Sequence, residues 1–314
     1  MEIQARLREL GLGIRDWGLG SERAARVTHV TDPIPNPQSL IPRLVTRFAP
    51  APTGYLHLGH VLNAIYVWDI ARASGPGARV LLRIEDHDRA RSRPEFEVAL
   101  LEDLAWLRFA ADGELTRQSE RGAVYERALD ELRARGLTYG CECSRTEIGS
   151  GRYPGTCRDK SLREAPGLGI RLRLEPAVER FDDLRLGRQE QQPSEQCGDL
   201  LVRDRHGNWT YQFAVVVDDW LQHVNLVVRG EDLLDSTGRQ IQLARLIGRE
   251  HPPAFLHHEL LMKNATQKLS KSDRDTGVRD LRSKGWSAEA VIDRATSLAG
   301  LSRDCITKFL SSSH

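Results

Sequence analysis

The segment 47–60, RFAPAPTGYLHLGH, decides the fold predicted for this 314-residue chain. Its prolines and Gly54 fix an extended turn, and the apolar spacing that follows predicts a helix beginning near Leu58. His57 and His60 lie three positions apart, so both rings can face the same side of the first helical turn. The free amides and positive dipole end of that turn favour a polyphosphate, whose oxygens imidazole donors can bond as pyrophosphate leaves.

A second segment, 268–272 (KLSKS), supports a nucleotide site. A His-x-x-His pair alone is more typical of a plain helix end or a metal site, and a short Lys/Ser string alone fits a solvated surface loop. The two segments together favour a nucleotide site. The lysine ammonium groups can stabilise a pentavalent phosphorus and departing pyrophosphate, and Gly59 lets adenine or ribose approach the backbone. The predicted ATP-binding residues are His57, Gly59, His60, Lys268 and Lys271, of which His57, His60 and Lys271 are the catalytic candidates.

Strands and helices alternate outward from the first segment. Residues 44–48 and 79–84 are short apolar-rich runs typical of buried strands, and the helix between them ends at the Gly-Pro-Gly stretch 75–77. A strand–helix–strand unit of this length predicts a parallel sheet and an α/β fold. Further helices are expected from Pro94 onward and over 120–135, 236–247 and 288–298, a short strand over 170–174, and a resumption of the main fold at the apolar runs 213–217 and 226–228.

The composition excludes several classes of protein. The net charge is +1, so a global polycation that would indicate nucleic-acid binding is absent, although a local basic face stays possible. No run approaches the roughly 18 apolar residues of a membrane span, and the first residues lack the apolar core of a secretory signal. The odd count of five cysteines argues against a disulfide framework and favours a reducing, cytoplasmic setting.

Three extended motifs together resemble those of the class I aminoacyl-tRNA synthetases. They are the segment 47–60, LLRIEDHDRAR at 81–91 and VVRGEDLLDST at 227–237, and they narrow the resemblance to the glutamyl branch. The resemblance runs from about Arg43 to Gly285. It implies a Rossmann-type doubly wound parallel sheet as the catalytic core, ATP with Mg²⁺, and L-glutamate as the amino acid.

The resemblance also implies a glutamate pocket. Its expected members are Arg47, Phe48, Ala49, Pro50, Ala51, Glu85, Tyr211 and Arg229, with guanidinium groups on the carboxylates and Glu85 on the ammonium group. Two positions depart from the family pattern, since Ala51 replaces a serine and His87 replaces a threonine. From the residues alone, Glu85 could instead cap the next element, and Tyr211 could be a core aromatic residue.

A cysteine-rich loop predicts a structural metal site. Cys141, Cys143 and Cys157 lie within 17 residues, which in a reducing compartment favours thiolate ligation of zinc over three free thiols. A closed tetrahedral site needs a fourth ligand, and the resembling short synthetases use a tyrosine that Tyr153 matches. Glu142 or water stays open as the fourth ligand.

The length of the chain bears on the acceptor of glutamate. Only 43 residues follow Lys271, whereas a domain that reads a tRNA anticodon needs roughly a hundred or more. A catalytic core without such a domain resembles the glutamyl-Q tRNA(Asp) synthetases, which implies transfer of glutamate to the queuosine base at the wobble position of tRNA(Asp). The alternatives are a catalytic fragment that charges the 3′ end of tRNA(Glu), and a non-catalytic nucleotide-binding paralogue. We expect a monomer without a membrane partner.

The domain organisation expected from these signals has five parts. They are an N-terminal extension (1–42, with a short helix over 2–10), the first half of the catalytic domain (43–137), a zinc-binding insertion (138–210), the second half of the catalytic domain (211–262), and the lysine loop with a helical C-terminal segment (263–314).

Overall fold

The computed structural model describes residues 43–149, 151–261 and 277–301. The helix expected over 2–10 and the KLSKS segment at 268–272 therefore lie outside the described residues. Within the described ranges, no helix is both long and apolar enough to cross a bilayer.

The chain alternates short strands and helices. The strands are β1 (Val45–Phe48), β2 (Arg79–Ile84), β3 (Thr116–Arg117), β4 (Thr138–Cys141), β5 (Gly169–Leu172), β6 (Glu179–Asp183), β7 (Gly187–Gln191), β8 (Leu200–Arg203), β9 (Leu226–Gly230) and β10 (Ala254–His258). The α-helices are α1 (Leu58–Ala73), α2 (Pro94–Trp106), α3 (Gly122–Ala134), α4 (Arg145–Ile148), α5 (Pro193–Gln196), α6 (Tyr211–Leu221), α7 (Thr237–Leu246), α8 (Val278–Ser283) and α9 (Ala288–Leu298).

Parallel pairing dominates the sheets that carry the site. β1 pairs in parallel with β2, which confirms the strand–helix–strand prediction, and β2 pairs in parallel with β3. β9 pairs in parallel with β10, and β10 with β6. Asn225 joins the β1–β2–β3 strands to the β9–β10–β6 strands. Its side-chain oxygen accepts a hydrogen bond from the Val45 backbone amide at 2.8 Å, and its backbone amide donates to the Val45 carbonyl at 2.9 Å. The carboxyl ends of β1, β2, β9 and β10 therefore meet at one edge, where α/β proteins bind ligands.

A three-stranded antiparallel sheet of β4, β5 and β8 lies within the region predicted as an insertion. The hairpin of β6 and β7 falls in the same stretch of sequence, yet β6 pairs with β10 of the parallel group. The region 138–210 thus contributes strands to two sheets.

The largest apolar cluster packs α1 between the first strands and α9. Phe48 and Trp68 are both buried, with ring centroids 5.5 Å apart, and Val291 and Ile292 of α9 belong to the same cluster. Each such side chain contributes about 1.5–3 kcal/mol on burial. This packing fixes the N-terminus of α1 relative to the strand ends.

Candidate active site

His57 and His60 organise the start of α1. The Gly59 amide donates to His57 Nδ1 at 3.1 Å, and the His57 amide donates to His60 Nδ1 at 3.2 Å. Because Nδ1 accepts in both rings, each neutral ring carries its proton on Nε2. The ring centroids lie 4.0 Å apart. The two histidines thus act as the capping pair of this helix, and the His60 and Val61 amides donate to the His57 carbonyl.

Gly277, the first described residue after the lysine segment, lies beside the start of α1. Gly277 forms a β-bridge with His57, and the Val278 amide donates to the Leu56 carbonyl at 2.9 Å. The chain therefore leaves the segment 262–276 directly beside the histidine pair.

Gly59 is required by the histidine cap. A Cβ atom at this position would lie 2.9 Å from His57 Cε1 and 3.0 Å from His57 Nδ1, so the ring would have to turn away. We expect Gly59→Ala to reduce glutamate-dependent exchange of pyrophosphate into ATP by roughly tenfold or more, since it displaces the ring that the sequence predicts as a phosphate donor. Gly151→Ala is the matched control, because a Cβ there meets no atom within 4 Å. Equal exchange rates in the two variants would contradict this role.

Arg83 lies at the centre of a buried ion cluster that the sequence reasoning missed. Its guanidinium contacts Asp219 at 2.8 Å, Glu85 at 3.3 Å and Asp218 at 3.8 Å, and its side chain is fully buried. Burial opposes the charge, yet Asp219, Glu85 and Asp218 raise the pKa of Arg83 above its ordinary value. Arg83 is the cation that all three carboxylates contact, while Asp218 and Asp219 each pair with one further arginine.

Asp218 ties this cluster to the neighbouring elements. It accepts hydrogen bonds from Gln118 Nε2 at 2.9 Å, Arg121 Nε at 2.6 Å and the Tyr125 hydroxyl at 2.8 Å. Burial, with the Asp218 carboxylate, raises the pKa of Tyr125, which keeps its hydroxyl a donor. The end of β2, the start of α3 and α6 are thereby locked together.

Arg47 and Glu85 line the carboxyl ends of β1 and β2. Arg47 Nε donates to Asp219 Oδ1 at 3.2 Å, and its terminal nitrogen donates to the Val228 carbonyl at 3.2 Å. Burial raises the pKa of Glu85, while Arg83 and Arg47 counter that effect. For Asp219 the balance is opposite, because Arg47 and Arg83 outweigh burial and hold the pKa of its carboxyl below the usual value.

Arg229 is buried among neutral partners. Its nitrogens donate to His257 Nε2 at 3.0 Å, Gln240 Oε1 at 2.7 Å and Thr237 Oγ1 at 2.8 Å. Within the described ranges, no carboxylate forms an ion pair with it, and burial lowers the pKa of Arg229. The Asp219 carboxylate counters this effect from beyond ion-pair distance, so no carboxylate of the described residues contacts Arg229 directly.

His257 holds Arg229 in place through its own second nitrogen. Its Nδ1 lies 2.7 Å from Asp183 Oδ2, so Nδ1–H donates there and Nε2 accepts from the guanidinium. Burial lowers the pKa of His257, which favours the neutral ring that this arrangement requires. Tyr211 lies beside Arg229, and burial and the Glu85 carboxylate raise the pKa of its hydroxyl although Arg229 and Arg47 oppose the rise. The structure therefore brings Arg47, Glu85, Tyr211 and Arg229 together.

The remaining predicted pocket residues lie on the chain between β1 and α1. Phe48 is a core residue packed on Trp68, so only its backbone can face a ligand. The Pro50 carbonyl accepts from the Glu85 amide at 3.0 Å, and the Ala51 carbonyl accepts from the Thr53 amide at 2.8 Å. Ala49 and Ala51 are half-buried, and Ala51 supplies no side-chain donor.

The cysteine loop forms a compact cluster of possible metal ligands. The sulfur atoms of Cys141, Cys143 and Cys157 lie within 4.8 Å of one another. The Tyr153 hydroxyl is 3.6 Å from Cys141 Sγ and accepts from the Cys157 amide at 2.8 Å. Arg171 Nε donates to Cys141 Sγ at 3.2 Å, and its guanidinium lies 3.6 Å from the centre of the Tyr153 ring. A cation thus adjoins a site that would be negative once its thiols ionise.

Residues 43–313 match the family described as tRNA synthetases class I (E and Q), catalytic domain. A protein of Rhodobacter capsulatus named glutamyl-Q tRNA(Asp) synthetase is 40% identical over 272 residues, covering 78% of this chain and 96% of that protein. A Bordetella bronchiseptica protein of the same name is 44% identical over 242 residues, covering 73% of this chain and 75% of the relative.

Two solved structures show the same architecture. A glutamate tRNA ligase of Elizabethkingia meningosepticum, in complex with its amino acid, matches with a TM-score of 0.63 and 27% identity over 77% of this chain. The glutamate-tRNA synthetase of Elizabethkingia anophelis matches with a TM-score of 0.63 and 28% identity over 77% of this chain. The chain covers 53% and 54% of these two proteins, about half of their length. By sequence and by fold, the chain belongs to the class I (E and Q) tRNA synthetases and, within them, to the glutamyl-Q tRNA(Asp) synthetase family.

Proposed function

We propose that this chain activates L-glutamate with ATP and transfers the glutamyl group to the queuosine base of tRNA(Asp). The observation that carries the choice of amino acid is the buried Arg229, whose hydrogen-bond partners are all neutral. A buried charge without a counter-ion is costly, so a site of this kind favours an anionic ligand. Arg47 and Glu85 beside it supply a second guanidinium and one carboxylate, which complement the two carboxylates and one ammonium group of glutamate.

The nucleotide would lie at the start of α1. The Nε2 protons of His57 and His60, at the positive end of the helix dipole, are donors suited to phosphate oxygens. In the predicted roles, Gly59 admits the flat part of ATP, and Lys268 and Lys271 neutralise charge that develops on pyrophosphate. Mg²⁺ would enter with ATP as its phosphate-bound partner.

Two steps follow from this arrangement. A glutamate carboxylate oxygen attacks the α-phosphorus of ATP, and pyrophosphate leaves with the bonding electrons. A hydroxyl of the queuosine cyclopentene-diol then attacks the activated carbonyl carbon, and AMP leaves. Residues of this chain bind and orient the reactants in both steps, which is where most of the rate gain in phosphoryl and acyl transfer arises.

We also propose that Cys141, Cys143, Tyr153 and Cys157 hold one structural Zn²⁺. Sulfur ligands of a tetrahedral zinc lie about 3.8 Å apart, and the Cys143 and Cys157 sulfurs lie 3.6 Å apart. Zinc would keep the thiols ionised and hold the loop after β4 together.

The zinc assignment predicts a metal content. We expect the purified protein to contain one zinc per chain and Cys143→Ser to lose most of it, with a lower melting temperature. Cys197→Ser is the control, because Cys197 lies outside the cluster and its sulfur contacts backbone carbonyls. Equal zinc content in the two variants, measured by elemental mass spectrometry, would contradict the assignment.

The acceptor can be tested directly. We expect labelled glutamate, incubated with the protein, ATP and tRNA(Asp), to become attached only when the tRNA contains queuosine. Omission of ATP should abolish labelling. Attachment to the 3′ end of tRNA(Glu) would instead support the alternative of a catalytic fragment that charges this tRNA, and it would overturn the proposed acceptor.

A further inference from the structure

A cavity of about 310 Å³ lies beside the glutamate pocket. Its size is within the range of pockets that enclose small-molecule ligands. The loop after β2, the segment before α3 and the turn after β8 form its walls. The lining residues are His87, Arg89, Gln118, Ser119, Gly122, Arg203, His206, Gly207, Asn208 and Trp209.

His87 connects this cavity with the glutamate pocket. Its Nδ1 donates to Gln118 Oε1 at 2.6 Å, because the amide nitrogen of Gln118 is already committed to Asp218. On the other side, the His87 ring lies 6.3 Å from the ring of Tyr211, centre to centre. His87 also lies close enough to Glu85 to oppose the rise in its pKa. A ligand in the cavity would therefore be separated from bound glutamate by little more than one side chain.

The wall formed by the turn after β8 is rigid. Arg203 donates to the Gly207 carbonyl at 3.0 Å and to Glu126 at 3.2 Å, and its guanidinium lies 5.0 Å from the centre of the Trp209 ring. Asp204 accepts from the amides of His206 and Asn208, each at 2.8 Å, which fixes the turn. These contacts hold a flat guanidinium and an indole in one orientation before any ligand arrives.

The opposite wall is also fixed. The Ser119 amide and hydroxyl donate to Asp86 at 2.8 and 2.5 Å, and Arg89 donates to the Ser119 carbonyl at 3.3 Å. No residue in the lining is acidic, whereas two are arginines and two are histidines. Flat cationic and aromatic side chains in a cavity without carboxylates are the features with which proteins bind a base extruded from a single-stranded RNA loop and its phosphates.

We propose that this cavity receives the extruded nucleotide of the RNA that accepts glutamate, with the base against Arg203 and Trp209 and the backbone phosphates near Arg89 and His206. This inference rests on the function proposed above. Beyond His87, a hydroxyl of that nucleotide attacks the carbonyl carbon of glutamyl-adenylate. A carbon–oxygen ester bond forms, the bond from the carbonyl carbon to the phosphate oxygen breaks, AMP leaves with the electron pair, and the hydroxyl proton passes to water.

The test uses a labelled anticodon stem–loop of tRNA(Asp) that carries queuosine. Arg89 and His206 are both exposed, so the double variant Arg89→Ala/His206→Ala should fold. We expect its dissociation constant for the stem–loop to rise roughly tenfold or more, with a matching fall in the kcat/KM of glutamate transfer. The control Arg127→Ala/His251→Ala removes the same charges from exposed positions outside the cavity and should change both quantities less than twofold.

The outcomes separate the two proposals. If the wild-type protein transfers glutamate to the stem–loop and the double variant binds and transfers equally well, the cavity is not the acceptor site. If the wild-type protein modifies no queuosine-containing RNA, the proposed function fails and the cavity assignment fails with it. Should the double variant not fold, the single exposed change Arg89→Glu provides the same comparison, with reversed charge and a larger expected loss.

Discussion

Replacing Arg83 with leucine is expected to lower the free energy of unfolding by about 3–5 kcal/mol, because a buried ion cluster loses its central cation. The carboxylates of Glu85, Asp218 and Asp219 all contact this guanidinium, and all three are buried. Urea unfolding at neutral pH, followed by circular dichroism, measures the change.

Arg117→Leu is the matched control on the neighbouring strand. Its guanidinium pairs with Glu97 at 2.7 Å but is one-third exposed, so we expect a loss below about 1 kcal/mol. Similar losses in the two variants would contradict the central role of Arg83. If the leucine variant does not fold, Arg83→Lys keeps the charge, loses the planar contacts and is expected to have intermediate stability.

Local signals were sufficient to predict the elements that carry the site. The apolar runs of β1 and β2 are bounded by proline and glycine, and the structure confirms both strands and their parallel pairing. The run 213–217 was harder to interpret, because it is apolar at every position and periodicity cannot separate a strand from a helix there. It lies inside α6 and is buried on all sides, since all of its residues belong to the core.

The sequence indicates that Arg83 needs a charged partner, but it does not identify that partner. Arg83 stands inside the apolar run RVLLRI, and a charge on a buried strand needs a partner. Its partner Asp219 is 136 positions away, so the pairing depends on how α6 packs against β2. The contacts of His257, near the end of the apolar strand β10, are likewise distant in sequence, since Asp183 is 74 positions away and Arg229 is 28. Such long-range pairs are set by tertiary packing, which no local pattern encodes.

Arg229 is expected to behave oppositely to Arg83, although both guanidiniums are buried. We expect Arg229→Gln to reduce kcat/KM for glutamate roughly 10- to 150-fold, since a charge-assisted hydrogen bond contributes about 1.5–3 kcal/mol. The free energy of unfolding without glutamate should change by less than about 1 kcal/mol, because the lost hydrogen bonds are offset by removal of a buried charge that His257, Gln240 and Thr237 do not neutralise. Pyrophosphate exchange at varied glutamate concentration measures the first effect.

Thermal denaturation with and without glutamate measures how Arg229→Gln changes the stability of the protein and its stabilisation by glutamate. The wild-type protein should be stabilised by glutamate, as any ligand that binds only the folded state requires, and the Arg229→Gln variant should lose this shift. Arg180→Gln, which breaks an exposed pair with Glu190, should keep it. A variant that unfolds as easily as Arg83→Leu yet retains its response to glutamate would show that Arg229 stabilises the fold rather than binding the substrate. In that case, the lack of a carboxylate contact would not distinguish a substrate-binding arginine from one that stabilises the fold.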